Sequence, residues 1–129
     1  MATVKANIGK ELYRIEITSP TGNVVMADES IEKGGQDKGF SPFELLASSL
    51  AACTCATLRS YADHKGIDLQ KVNVEIIQTQ QDGKTIFNRK LQLIGNFNEA
   101  QRTRMLQVAN ACPVHRALSG PIEINTQLI

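Results

Sequence analysis

The sequence predicts an α+β fold with antiparallel sheets, and two observations support this prediction. Strand-like segments follow one another in runs joined by short turns, whereas a parallel sheet needs a crossover between successive strands. One long helical segment and a shorter helical pair separate these runs, which gives the order β-β-β-α-β-β-α-α-β. Because 129 residues is an ordinary length for one domain, we expect residues 1–129 to form a single domain.

The N-terminal third alternates apolar and polar side chains with the period of a half-buried strand. In residues 13–18 the apolar side chains fall on one face, and a Pro-Thr-Gly-Asn turn follows at residues 20–23. Residues 29–40 hold three glycines among charged residues, which predicts a flexible loop. We therefore expect three strands, around residues 3–8, 13–18 and 24–26.

The clearest local pattern is the start of a helix at Ser41-Pro42-Phe43-Glu44. Serine at the N-cap, proline at the first helical position and glutamate three residues after the cap form a capping box. The helix is expected to end near Lys65, before Gly66. No charge occurs between Leu45 and Leu58, and a helix that is apolar all round must be buried on every side. At roughly 36 Å it is long for one such chain to surround, so we expect a second subunit to cover part of it.

The second half predicts a hairpin, two helices and a final strand. Asp82-Gly83 favours a hairpin turn, and Asn98 with Gln101 favours a second capping box. Cys112-Pro113 ends that helix, because a residue before proline avoids helical backbone. The expected segments are strands at residues 72–76 and 85–97, helices at 98–111 and 113–118, and a strand through Ile122, Ile124, Thr126 and Leu128.

Charge and composition argue against several classes of protein. The net charge is +1 with no basic stripe, so no nucleic-acid partner is expected. No apolar run approaches the roughly 18 residues of a membrane span, and the N-terminus lacks the apolar core of a signal peptide, so no membrane association is expected. Three cysteines are too few for a secreted disulfide scaffold. We therefore expect a cytoplasmic protein.

The cysteines do not predict a metal site. Cys53 and Cys55 are two residues apart on one helix, about 200° around its axis, so they cannot share a metal ion or pair with each other. Cys112 and His115 supply only two ligands, where a structural zinc site has four. A zinc-binding regulator stays open as a third hypothesis, which metal analysis would decide.

Each cysteine has a reactive and a plain interpretation. Cys112 would sit at the N-cap of a short helix, where unpaired N–H groups favour a thiolate, but a cysteine can also be an ordinary cap residue. Cys53 taken alone fits a small buried apolar side chain better than a nucleophile, and this plain interpretation applies more strongly to Cys55, where nothing opposes it. His115, one turn beyond Cys112, either tunes that thiol or is an ordinary surface residue.

Two segments of the sequence resemble the OsmC/Ohr family of thiol-dependent hydroperoxide-reducing proteins. Residues 34–53, Gly-Gly-x-x-x-Gly-Phe-Ser-Pro-Phe-Glu-Leu-Leu-Ala-Ser-Ser-Leu-Ala-Ala-Cys, are similar to its central segment, and residues 112–118 to its second cysteine motif. The resemblance implies an intertwined homodimer with antiparallel sheets wrapped around long central helices and an active site at the subunit interface. It also implies that Cys53 attacks the peroxide and becomes a sulfenic acid, which Cys112 resolves as a disulfide. An external dithiol is then expected to reduce that disulfide, and no bound cofactor is expected.

The sequence departs from the family at one position near the first cysteine. Active peroxidases of the family carry a glutamate ten residues before that cysteine, paired with an N-terminal arginine, and here the position is Phe43. Glu44 lies on the opposite side of the helix from Cys53. The segment Pro-Phe-Glu-Leu-Leu at residues 42–46 is similar to the OsmC-like branch of the family. A non-catalytic dimer that binds a small hydrophobic ligand at the interface is the alternative hypothesis. The arginines that are candidates for the pocket are Arg14, Arg59, Arg89 and Arg116.

Overall fold

The computed structural model describes all of residues 1–129 as an α+β chain with two antiparallel sheets and three α-helices. The chain forms two compact units, Met1–Leu46 and Ala47–Ile129. The first holds a three-stranded sheet in the order β1-β2-β3, and the second holds the β4-β5 hairpin. The elements are β1 Lys5–Ile8, β2 Ile15–Thr18, β3 Val24–Ala27, α1 Pro42–Lys65, β4 Asp68–Gln81, β5 Lys84–Asn96, α2 Glu99–Ala109 and α3 Pro113–Ser119.

Helix α1 begins and ends where the local sequence predicts. The N–H of Ser41 donates to Glu44 Oε1 at 2.9 Å, and the N–H of Glu44 donates to Ser41 Oγ at 3.2 Å. These bonds confirm the capping box, and the N–H of Ser41 holds the pKa of the Glu44 carboxyl below its ordinary value. Gly66 follows the last turn with φ of +66°, a conformation that glycine adopts without a steric penalty.

The hairpin and the second capping box are also confirmed. Asp82 and Gly83 both have positive φ at the turn between β4 and β5, as a tight hairpin with right-handed strand twist requires. Asn98 Oδ1 accepts from the N–H of Gln101 at 2.8 Å, and the Gln101 side chain accepts from the N–H of Asn98 at 2.9 Å. Helix α2 therefore starts where the sequence indicates, and α3 likewise starts at Pro113.

The predicted last strand is wrong, because no strand follows α3. Residues 121–129 have no regular secondary structure, and Ile122 and Ile124 are 66% and 84% exposed. Alternation of apolar and polar residues only shows which side chains share a face. A strand also needs a neighbouring strand whose N–H and C=O groups form hydrogen bonds with it. This segment pairs with no strand of the chain.

The glycine-rich loop is organised around Asp28, a residue that the sequence analysis did not single out. Its side chain is buried, and its carboxylate accepts backbone N–H groups from both sides of the loop. The N–H of Lys38 has the largest effect in lowering the pKa of Asp28; burial opposes it, and three further N–H groups add to it. The four donors are Tyr13 at 3.3 Å, Glu29 at 2.7 Å, Gln36 at 3.3 Å and Lys38 at 3.1 Å.

The loop glycines that suggested flexibility allow close contacts between backbone segments. A Cβ on Gly35 would collide with the carbonyl of Glu29, and a Cβ on Gly39 with the carbonyl of Met26. Phe40 also pairs with Ala27 in an isolated parallel bridge. The expectation of a flexible loop therefore gives way to a segment that is held by hydrogen bonds at several points.

We expect Asp28→Asn to destabilise the protein near neutral pH, since the amide nitrogen cannot accept the N–H groups that the carboxylate binds. Because the pKa of Asp28 is lowered in the folded state, its contribution is present above the unfolded pKa of about 3.9 and is lost as the pH falls through the folded pKa. Urea unfolding at about pH 7 and pH 3 should show a difference between variant and parent that shrinks in acid. Asp37→Asn, on an exposed residue of the same loop, is the control, and equal effects of the two changes would contradict the role of Asp28.

In the second unit, α1 buries one stripe of side chains that recurs every four residues. Leu50, Thr54, Leu58 and Ala62 are buried, whereas small residues elsewhere on α1 such as Ala52 are exposed in the single chain. Burial of the helix on every side is therefore not found within one chain, because β4, β5 and α2 pack on one side of it. The core of this unit consists of Leu58, Ala62, Ile67, Leu69, Met105 and Ala109. None of the helices combines the length and the hydropathy needed to cross a bilayer.

Candidate functional site

The structure brings the two predicted site cysteines into contact. Cys53 lies half-buried on α1, and Cys112 is fully buried at the N-cap of α3. Both thiols are free, and the Cys112 thiol is close enough to Cys53 to be one of the groups that lower the pKa of its thiol. Two residues that are distant in the sequence thus form one pair of thiols inside the second unit.

The position of Cys112 follows from the local sequence around it. Pro113 occupies the first position of α3, where its missing N–H costs no helical hydrogen bond. Cys112 Sγ takes the place of a capping oxygen and accepts from the N–H of His115 at 3.3 Å. The Cys112 side chain is thereby held between the end of α2 and the start of α3.

Several groups act on the pKa of Cys53, in both directions. Burial has the largest single effect and raises it, because an apolar environment disfavours the thiolate. The N–H of Val114, the Cys112 thiol, the Thr57 hydroxyl and the charge of Arg89 all lower it. The Thr57 oxygen is 3.9 Å from Cys53 Sγ. The combined result is a pKa of Cys53 below the ordinary value for a thiol.

Arg89 is the arginine that reaches this site. It lies half-buried on β5, and its Nη1 donates to Thr54 Oγ1 at 3.0 Å. Its Nη2 donates to Asn110 Oδ1 at 2.9 Å and lies 3.0 Å from His115 Nδ1. The guanidinium thus contacts side chains from α1, from the end of α2 and from α3.

The other arginine candidates have different surroundings. Arg14 pairs with Glu11 on the surface of the first unit. Arg59 pairs with Asp63 and donates to the carbonyl of Leu69. Arg116 is an exposed residue of α3. The charge that lowers the pKa of Cys53 therefore comes from β5 and not from the N-terminal strands.

The sequence analysis named Arg89 only as one of four candidates and missed other residues of the site, and one pattern would have singled out Arg89. Phe87, Arg89 and Leu91 are half-buried on β5, whereas Asn88 and Lys90 are exposed. An arginine on the buried face of a strand is unusual unless it has partners. Because Arg89 falls on the same face of β5 as the apolar residues, the alternation along the strand could have indicated that it has a role in a site. No comparable pattern marks Asn110 or the N–H of Val114, because their roles depend on how α2 and α3 pack.

The remaining candidates take other places. Cys55 is half-buried on α1, about 200° around the axis from Cys53. His115 is half-buried and bonded to Arg89, so it is not an ordinary surface residue. No group of three or more histidine, cysteine, aspartate or glutamate side chains is arranged to hold a metal ion.

This arrangement has a definite chemical capacity. A thiol whose pKa is lowered forms more thiolate at neutral pH, and the thiolate is the form that attacks electrophiles. Oxidation of such a thiolate gives a sulfenic acid, which condenses with an adjacent thiol to form a disulfide. Cys112 is the adjacent thiol here.

Comparisons with known proteins agree with the fold described above. The OsmC family model, described as OsmC-like protein, matches residues 35–127. A comparison with curated protein sequences finds no significant match. The structure is similar to an OsmC-like protein from Mycoplasma pneumoniae, with a TM-score of 0.79, 22% identity, and 93% and 88% of the two chains covered.

Two further solved structures share the fold. The organic hydroperoxide resistance protein OsmC from Legionella pneumophila has a TM-score of 0.65 and 23% identity, with 93% of this chain and 90% of that chain covered. The organic hydroperoxide resistance protein OhrB of Bacillus subtilis has a TM-score of 0.63 and 21% identity, with 93% and 91% covered. The predicted α+β fold of the OsmC type is thereby confirmed.

Proposed function

Because the chain belongs to the OsmC-like family, we propose that it reduces hydroperoxides with Cys53 as the attacking thiol and Cys112 as the resolving thiol. The observation that supports this proposal is the proximity of two free thiols, of which Cys112 helps to lower the pKa of Cys53. Two relatives of the same fold are named organic hydroperoxide resistance proteins, which favours an organic hydroperoxide as the substrate.

The proposed reaction has two steps within the protein. The Cys53 thiolate attacks the terminal peroxide oxygen, the O–O bond breaks, and the alkoxide takes a proton and leaves as the alcohol. Cys53 is then a sulfenic acid. The Cys112 sulfur attacks the Cys53 sulfur and the S–O bond breaks. The leaving hydroxide takes up the proton that the Cys112 thiol gives up, so that water leaves and a disulfide forms. Cys112 is the thiol available for this attack, since it lies close enough to Cys53 to lower the pKa of Cys53.

A complete cycle needs an external reductant and, in this proposal, a second subunit. A dithiol exchanges with the Cys53–Cys112 disulfide and restores both thiols, so no bound cofactor is required. The exposed small residues of α1 are suited to contact a second copy of the chain, as the homodimer inferred from the sequence requires. A reducing compartment such as the cytoplasm would keep the thiols in their active form.

The alternative function, a non-catalytic module for a hydrophobic ligand, has less support. That hypothesis predicts inert cysteines. Burial would raise the pKa of such a thiol, and no other group would lower it. Here the N–H of Val114, the Cys112 thiol and the Arg89 charge more than offset burial at Cys53. The arrangement around the thiol therefore favours redox chemistry.

One equivalent of cumene hydroperoxide added to the reduced protein tests the proposal directly. We expect two thiols to be lost per chain, the mass to fall by two hydrogen atoms, and peptide mapping to place the new disulfide between Cys53 and Cys112. Cys55→Ser is the matched control and should give the same disulfide, because Cys55 has no place in the mechanism. Failure to consume the peroxide, or oxidation of Cys53 to sulfinic acid without a disulfide, would contradict the proposal.

A further inference from the structure

Arg89 connects the elements that carry the two cysteines. Thr54, the neighbour of Cys53 on α1, donates its hydroxyl proton to the carbonyl of Leu50 at 2.7 Å and accepts from Arg89 with its lone pair. Thr54 is fully buried, so both bonds fix the side chain in one rotamer. Asn110, at the end of α2, accepts from the other arm of the guanidinium. A planar guanidinium with several donors is suited to hold such a set of acceptors in a fixed geometry.

The contact with His115 extends this connection to Cys112. Arginine has only donors, so His115 Nδ1 is the acceptor in its hydrogen bond with Arg89 Nη2. The backbone N–H of the same histidine donates to Cys112 Sγ. The guanidinium is therefore bonded to the residue next to Cys53 on α1. It is also linked to the sulfur of Cys112 through one residue, His115.

We infer that Arg89 is the positioning residue of this thiol pair, which holds the Cys53 thiolate electrostatically and keeps the start of α3 in place against it. The inference deepens the proposed function, since it takes Cys53 as the reacting thiol. The cation that this role requires lies on β5, where it bonds to Thr54 next to Cys53.

The other groups around Cys53 allow the effect of Arg89 to be isolated. On α3, Cys112 and His115 are the titratable neighbours, and on β5 it is Arg89. On α1 the neighbour is the neutral Thr57. No carboxylate contributes to the pKa of Cys53, so removal of Arg89 takes away the only charge that supports the thiolate.

The experiment is a pH profile of Cys53 alkylation by iodoacetamide, which reacts with the thiolate. All variants carry Cys55→Ser, so that the peptide containing residue 53 has one cysteine, and mass spectrometry reports its modified fraction. For Arg89→Met we expect the midpoint to rise by about half to one pH unit, so that the rate below the midpoint falls about three- to tenfold. Arg89→Lys keeps the charge but not the planar set of donors. Its midpoint should therefore lie between that of the parent and that of Arg89→Met.

Two further variants separate electrostatics and position from a general loss of structure. Lys90→Met removes the same charge from the next residue of β5, which is exposed, and should leave the midpoint unchanged. Asn110→Ala removes one exposed acceptor of Arg89 without altering any charge, and should shift the midpoint upward by less than Arg89→Met does. Circular dichroism checks that each variant is folded.

Equal midpoints for parent and folded Arg89→Met would overturn the inference. If Arg89→Met does not fold, parental midpoints in both Arg89→Lys and Asn110→Ala overturn it instead. The result is distinct from that of the proposed function, because alkylation needs no hydroperoxide. A chain that does not consume hydroperoxide but shows the shifted midpoint would contradict the proposed function and support the role of Arg89.

Discussion

Replacing Cys53 by serine should reduce hydroperoxide consumption to the rate of the uncatalysed reaction between peroxide and dithiol. Serine has nearly the same shape as cysteine, but its hydroxyl does not ionise near neutral pH and its oxygen cannot be oxidised to a sulfenic acid equivalent. The groups that lower the pKa of Cys53 would remain in place and have no thiol to act on. Peroxide loss in excess dithiothreitol is the measurement.

Cys55→Ser provides the matched control for this prediction. It is the same chemical change two residues along α1, at a residue that is also half-buried. The control should keep the activity of the parent, and both variants should have similar far-UV circular dichroism, since neither side chain belongs to the buried core. Substantial turnover by Cys53→Ser would show that the thiol of residue 53 is not the attacking group.

Truncation of Leu58 to alanine should cost about 2–5 kcal/mol of unfolding free energy. Leu58 is 0% exposed on α1 and packs in the core of the second unit together with Met105 and Ala109. The truncation removes buried methyl groups and leaves a cavity that the packed neighbours fill only in part. Urea unfolding monitored by circular dichroism, at one protein concentration for all variants, measures the difference.

Leu106→Ala is the control for the core prediction. Leu106 lies next to Met105 on α2 but is 54% exposed, so its truncation removes far less buried surface. We expect a change within about 0.5 kcal/mol. Equal losses for the two leucines would contradict the assignment of Leu58 to the core.

Local features of this protein were predictable because each depends on a few adjacent residues. The capping boxes at Ser41 and Asn98, the turn at Asp82-Gly83 and the break at Pro113 follow from hydrogen bonds and φ restrictions within one turn of chain. The resemblance of two cysteine motifs to one family then implied the fold and the partnership of the cysteines.

The failures of the sequence analysis have one physical origin. A strand forms only where a second edge receives it, and the last apolar segment, which contains Ile122, pairs with none in this chain. A glycine next to charged residues suggests flexibility, but the carboxylate of Asp28 instead collects the N–H groups of the loop. Both outcomes depend on whether separated segments of the chain meet, as Asp28 meets Gln36 and Lys38, so neither can be seen in a short window.

The sequence by itself therefore determined the starts of the three helices and the turn of the long hairpin, since those depend on hydrogen bonds between near neighbours. Only the tertiary structure decided that the Cys112 thiol lies close to Cys53 and that Arg89, among the four candidate arginines, supplies the charge. The reason is that packing of α1, α3 and β5 brings these groups together across long stretches of chain. The ionisation of the Cys53 thiol is a property of that assembled environment.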